Sequence, residues 1–203
     1  MDFQTKEQIR KKAIADRLAL TPEEVRAKSS AVRRNLVKSG VLEGRNAIAL
    51  YAAAKGEVDT RPLFDLLRAE GRTVALPRVR GKGPHIDFFG VKDWEKLEES
   101  RLGIPEPPAQ SEPVSPALFD LVLVPAVAFD RQGKRVGFGM GCYDRFLKRI
   151  RAECLAIGLG YDFQLYAKVP AKDHDVPLTG VITESEVILP EVREKVGHIN
   201  ERG

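Results

Sequence analysis

The chain lacks a long apolar run, is poor in cysteine and histidine, and contains no low-complexity tract. No apolar run approaches the ~20 residues that span a bilayer, so a membrane-spanning protein is not expected. Residues 1–12 hold no apolar core ahead of a cleavage site and include acidic residues, which argues against a secretory or transit leader and for a cytoplasmic protein. Cys142 and Cys154 cannot form a four-thiolate zinc site, and the three histidines are scattered. A disulfide between the two thiols is not expected in a reducing compartment. There is no internal repeat. There is also no aromatic-rich strand pair and no basic low-complexity tail, so the usual marks of an RNA-binding module are missing.

At 43% hydrophobic and 31% charged, the 203 residues suit a soluble globular protein: one domain, spanning 1–203, with at most a modest extra lobe. Net charge is +4, and residues 1–39 carry ten Lys/Arg against five Asp/Glu, more than the whole excess. A solvated helix face explains any single one of these cations. As a group they also suit a polyanion, either nucleic acid or a small one such as ATP.

Residues 5–19 read as a helix with Ile9, Ala13, Leu18 and Leu20 on its apolar face and Lys6, Arg10 and Arg17 off it. Thr21-Pro22-Glu23-Glu24 opens a second helix through a capping box, and Gly40 ends it. These two helices form an N-terminal pair, residues 1–40, packed on the rest. Beyond them the pattern alternates. Strands are predicted at 46–53, 73–79, 86–89, 121–129, 155–159 and 181–183, with helices opening at Thr60 and running over 143–152 and a short one at Trp94. Residues 103–116 carry five prolines and read as an irregular connection, a flap or a linker over a cleft. The near-continuous apolar run of 121–129 is that of a strand covered on both faces. Strands alternating with helices predict a three-layer α/β/α domain with a mainly parallel sheet.

The stretch GKRVGFGMGCYDRFLKR, residues 133–149, follows the apolar strand and its turn. Glycines at alternate positions let backbone N–H groups converge without Cβ clashes, and N–H groups at a helix start receive phosphate. No G-K-S/T follows, so it is not a Walker loop, and its glycines lie too far past the strand for the dinucleotide fingerprint. The pattern leaves phosphate binding and a structural turn both open. Asp144, just past the loop, suits either Mg2+ shared with phosphate oxygens or a carboxylate answering the helix dipole.

This stretch closely resembles the glycine-loop signature of the 5-formyltetrahydrofolate cyclo-ligase family, in which the pattern usually reads R-L-G-x-G-x-G-Y-Y-D. The resemblance extends over nearly the whole chain through Lys6-Glu7-Gln8-Ile9-Arg10, Gly56-Glu57-Val58-Asp59-Thr60, Leu76-Pro77-Arg78, Gly103-Ile104-Pro105-Glu106-Pro107, Val124-Pro125 with Ala128-Phe129-Asp130, and His174-Asp175-Val176. It implies an ATP- and Mg2+-dependent enzyme that forms 5,10-methenyltetrahydrofolate from 5-formyltetrahydrofolate, with release of ADP and phosphate. The formyl oxygen would take the γ-phosphoryl group and N10 would then displace phosphate.

Carried over by position, Lys6, Arg10 and the loop Arg135, Val136, Gly137, Phe138, Gly139, Met140, Gly141, Cys142 and Tyr143 would bind ATP. Ala52, Glu57 and the inner loop Phe138–Cys142 would bind the folate. Asp144 and Asp175 would hold Mg2+. No nucleic-acid or membrane partner is expected, and a monomer is. Arg78 is a further candidate phosphate or folate contact, and His174 a general acid/base or a residue that positions Asp175. Met140 and Cys142 depart from the family pattern, where Gly or Lys and Tyr are usual. They leave open a relative that binds nucleotide and folate without turnover. Cys142, at a helix start, is a candidate for a lowered thiol pKa or a small packing residue.

Overall fold

A computed structural model of the chain describes residues 5–80, 85–100 and 103–189. Its helices and strands, in chain order, are α1 (Lys6–Leu18), α2 (Pro22–Lys38), β1 (Ala47–Ala49), α3 (Arg61–Ala69), β2 (Thr73–Arg80), β3 (His85–Gly90), β4 (Glu98–Glu99), β5 (Pro105–Glu106), β6 (Pro113–Val114), β7 (Leu121–Pro125), β8 (Ala128–Asp130), β9 (Arg135–Val136), α4 (Cys142–Leu147), β10 (Leu155–Leu159), β11 (Leu165–Tyr166), β12 (Gly180–Ile182) and β13 (Val187–Ile188). The main sheet runs β13-β12-β10-β7-β1-β2-β3-β6. Its five inner strands, from β12 to β2, are parallel, and β13, β3 and β6 add antiparallel edges. The sheet is thus mixed but mainly parallel, as the alternating pattern predicts.

Side chains on the inner strands alternate between two apolar layers, because successive residues of a strand face opposite sides. Ile48, Leu50, Val74, Leu76, Leu121, Leu123, Ile157 and Leu159 meet Val32 and Leu36 of α2 and Leu63, Phe64 and Leu67 of α3. Ala49, Ala75, Val122, Val124, Ala156 and Val181 meet Phe146 and Leu147 of α4, with Phe88, Phe119 and Phe129. Helices therefore lie on both sides, but the second side has only six residues of helix and is completed by a small sheet, β11-β8-β9. Among the described residues no helix is long and apolar enough to cross a membrane.

The expected capping box at Thr21 forms, and α1 has a second, unpredicted one. Thr5 pairs reciprocally with Gln8 at the start of α1, and Thr21 with Glu24 at the start of α2. Several boundaries differ from the expectation. The apolar stretch 121–129 is two strands in two sheets. Pro125 has no N–H to continue the ladder, and Val127 turns to donate to the Val136 carbonyl instead. The glycine stretch therefore follows a hairpin of the small sheet rather than a strand of the main one. The helix expected over 143–152 ends at Leu147, after which the Arg149 N–H donates back to the Phe146 carbonyl in a tight turn. Residues 103–116 are not merely irregular: β5 pairs with β4, and β6 extends the main sheet beside β3. Strand β1 is shorter than 46–53: it ends at Ala49, with the Leu50 N–H still donating to the Ala75 carbonyl of β2. Thr60 does not cap α3, its hydroxyl donating instead to the Tyr51 carbonyl. Arg17 does not lie off the buried face of α1; it is 1% exposed.

The turn before the glycine stretch is built on Asp130, itself 1% exposed. Its Oδ1 accepts the N–H groups of Gln132 (2.9 Å) and Lys134 (3.0 Å), and its Oδ2 that of Val169 (3.0 Å). Gly133 adopts φ +77°, and a Cβ there would sit 2.2 Å from the Leu178 carbonyl oxygen. This turn aims Arg135. Asp130→Ala leaves three backbone donors without their acceptor and is expected to cost about 3 kcal/mol or more. The measurement is a lowered urea midpoint with an unchanged slope.

Candidate active site

In a parallel sheet the order of strands reverses at one point, and the crevice beyond the carboxyl ends there receives ligands. Here β1 lies between β2, which follows it in sequence, and β7, which comes later, so the reversal falls between β1 and β7. A cavity of about 850 Å3 opens at that place, bounded by the segments after β1 and β7, by β2 and β3, by α1 and by the glycine loop. Seven Lys/Arg and four carboxylates line it.

One wall is cationic. Lys6 bonds Asp175, and the Arg10 Nε–H donates to the Gly137 carbonyl at 2.9 Å, which ties α1 to the glycine loop. Arg135 is nearly buried, donating to the Val176 carbonyl and to Asp144 Oδ1. Burial pulls its guanidinium below the ordinary value, and the carboxylates of Asp144 and Asp175 oppose that pull. For Asp175, burial pulls upward, but bonds from Lys6 and from the Lys172 amide outweigh it and leave the carboxyl below the usual range. Asp144 and Asp175 thus both act on one guanidinium.

Among the described residues no three His, Cys, Asp or Glu side chains gather closely enough to hold a metal by themselves. Asp144 spends Oδ1 on Arg135 and on the Val176 N–H (3.1 Å), while Asp175 spends Oδ2 on Lys6 and the Lys172 N–H. Each keeps its other oxygen for a further ligand. Two carboxylates of this kind fit Mg2+, which binds through one or two carboxylates and otherwise through water and phosphate oxygens.

A second wall is apolar, formed by Pro77, Val79, Ile86 and Ile104, with Tyr143 and Phe138 on the loop side. Glu57 enters this region on the loop after β1, its Oε2 accepting the Ala54 N–H at 3.1 Å. Burial pushes its carboxyl up, and Arg17 opposes that shift. Ala52 is buried in the floor at 4% exposure.

The glycine loop lies between these walls. Gly139 at φ +104° and Gly141 at φ +66° occupy the left-handed region that side chains avoid. Gly137 is not in that region and has open space around it. Arg145 is spent on the loop itself, its Nη1 donating to the carbonyls of Met140 (2.8 Å) and Gly141 (3.1 Å).

The cavity brings together Lys6, Arg10, Ala52, Glu57, Arg135, Gly137 through Asp144, and Asp175. Val136 stands apart: its side chain is 1% exposed and packs with Ile9 and Ala128. Arg78 donates to the Pro107 carbonyl and faces Glu98 at 3.5 Å, outside the cavity lining. The His174 ring is largely exposed, 3.8 Å from Asp175. The Cys142 thiol is not lowered at the start of α4; burial pushes it up. Phe138 and Met140 are about half exposed at the rim. Sequence reasoning missed Arg17, Lys172 and Glu106. The spacing of Lys6, Arg10 and Arg17 was the available signal for the first, since positions 4 and 11 residues on share one helix face.

Comparisons with known proteins show the family and the fold. The model of the 5-formyltetrahydrofolate cyclo-ligase family matches residues 2–184. The 5-formyltetrahydrofolate cyclo-ligase of Escherichia coli is 32% identical over 174 residues, covering 84% of this chain and 96% of its own. That of Mycolicibacterium smegmatis is 32% identical over 197 residues, covering 93% and 98%. The solution structure of Aquifex aeolicus 5,10-methenyltetrahydrofolate synthetase superposes with a TM-score of 0.81 at 36% identity, over 97% of this chain and 99% of that one. The chain belongs to the 5-formyltetrahydrofolate cyclo-ligase family of enzymes.

Proposed function

We propose that the chain converts 5-formyltetrahydrofolate to 5,10-methenyltetrahydrofolate and consumes ATP, with ADP and phosphate released. The observation that carries this reading is the two-sided cavity, with one cationic wall, one apolar wall holding a buried carboxylate, and a single glycine loop between them. A polyphosphate and a flat heterocycle then lie together, as a transfer between them requires.

In this reading Lys6, Arg10 and Arg135 bind the phosphates and offset the charge that gathers on the transferred group. Asp144 and Asp175 would hold Mg2+, which would neutralise phosphate charge when bound. The loop from Arg135 to Tyr143 wraps the nucleotide. Val136 contributes backbone alone, and Phe138 to Cys142 also cover the folate. Glu57 and the Ala52 floor face the folate, whose pterin ring presents N–H donors to a carboxylate. The formyl oxygen takes the γ-phosphoryl group because an amide oxygen is a poor leaving group until phosphorylated. N10 then bonds to the formyl carbon, loses its proton, and phosphate departs. The apolar wall keeps water from that intermediate.

The same reading treats residues 1–203 as one folding unit, a monomer working in the cytoplasm without nucleic-acid or membrane partners. A second reading, binding without turnover, draws on Met140 and Cys142, since both departures from the family pattern line the cavity.

Absorbance at the methenyl-folate band tests the choice. With 5-formyltetrahydrofolate, Mg2+ and ATP the band should grow, and it should stay flat without ATP or with the divalent cation chelated. A flat trace with all components, while both ligands still bind, would decide for the second reading. Asp144→Asn should melt near the parent temperature but lose about a hundredfold or more of its Mg2+-dependent turnover. Arg10→Ala should raise the KM for ATP by about tenfold and change that for the folate far less.

A further inference from the structure

Helix α1 carries three cations on one face. Lys6, Arg10 and Arg17 are 4 and 11 positions apart, which at ~100° per residue places them within about 40° of one another along about 16 Å of helix. The first two reach the cationic wall. The third goes elsewhere. Arg17 is the largest fully buried side chain among the described residues. Its Nη1 lies 3.6 Å from Glu57 Oε1 and donates to the Ala126 carbonyl at 3.5 Å. Its guanidinium lies over the Phe138 ring at 5.4 Å. Glu57, Ala126 and Phe138 belong to three different segments that border the cavity: the loop after β1, the segment after β7 and the glycine loop.

A buried guanidinium is costly unless its donors are met. Here Nε and Nη2 have no hydrogen-bond partner, and the hydroxyl of Tyr143, which Glu57 also influences, is buried without one as well. A side chain kept for packing alone would be apolar at such a position. The arrangement spends charge behind Glu57 in particular, since the other carboxylate oxygen is already held by the Ala54 N–H. The Glu57 carboxylate is thus contacted at both oxygens, Oε1 by Arg17 and Oε2 by the Ala54 N–H.

We infer that Arg17 is a positioning residue for the folate: it orients the Glu57 carboxylate toward the cavity and, through the face of Phe138, sets the glycine loop over the same ligand. The inference rests on the folate reading of Glu57 given above. The groups that act on Glu57 are Arg17, Lys55, Tyr51 and Tyr143. Of the two cations, only Arg17 is buried with it.

The test compares the parent enzyme with Arg17→Met, Arg17→Lys, Glu57→Gln and the double variant Arg17→Met with Glu57→Gln. KM for 5-formyltetrahydrofolate and for ATP is measured separately, and thermal melts report folding. Arg17→Met should raise the folate KM by about tenfold or more and the ATP KM by no more than about twofold. The double variant should be no worse for folate than Glu57→Gln alone, because both changes break one interaction. Arg17→Lys should lie between parent and Arg17→Met, since an ammonium keeps the charge but not the planar fork. It also carries the test if Arg17→Met does not fold.

Unchanged folate KM in folded Arg17 variants overturns the inference. So does an equal rise in both KM values, or full additivity in the double variant. Each of these leaves the proposed function standing if the parent turns over. A parent without turnover overturns that function and the inference with it.

Discussion

Charge, more than an apolar stripe, docks the first helix. Only Ile9 and Ala13 are buried apolar residues of α1, and the helix is otherwise held by Lys6 on Asp175, Arg10 on the Gly137 carbonyl and Arg17 on Glu57. Each contact ends on a different segment of the cavity wall. Without these pairs the cationic wall would lack its N-terminal half, and Glu57 would be a buried carboxylate with no counterion. Breaking one member of such a pair is the expensive change, because the remaining charge stays out of water.

The sheet supplies the frame for this. Five parallel strands covered on both faces have nowhere to place polar chemistry except at their ends. At the reversal between β1 and β7 the chain leaves the sheet on diverging paths, and the space between them is the cavity. The small sheet β11-β8-β9 then carries the glycine loop to its edge. Asp130 does for this hairpin what a capping residue does for a helix. It accepts three backbone N–H groups that have no ladder partner, and so sets the direction in which Arg135 leaves.

The cavity is electrostatically uneven by construction. Arg135 lies between two carboxylates, and bonds from Lys6 and the Lys172 amide hold that of Asp175 below its usual range. Glu57 sits in a drier place, where burial raises its carboxyl and one guanidinium opposes the shift. A pair of carboxylates among cations, and a single buried carboxylate near apolar side chains, are two environments of different chemistry. The thiol of Cys142 follows the second environment, so burial prevails over the helix start beside it.

The sequence by itself determined the class of fold, the N-terminal cap of α2, the buried character of the inner strands and, by its ordered motifs, the family. These are local or periodic features, written in residues close together along the chain. It did not determine where 121–129 breaks, how short α4 is, or that β6 joins the main sheet. Those outcomes depend on which backbone donors find partners far away in sequence. Nor did it show that Val136 turns inward, that Arg78 is drawn to Pro107 and Glu98, or that Arg17 is buried. An arginine on an amphipathic helix reads as solvent-facing until a carboxylate forty positions away folds against it, and only the tertiary structure decides that.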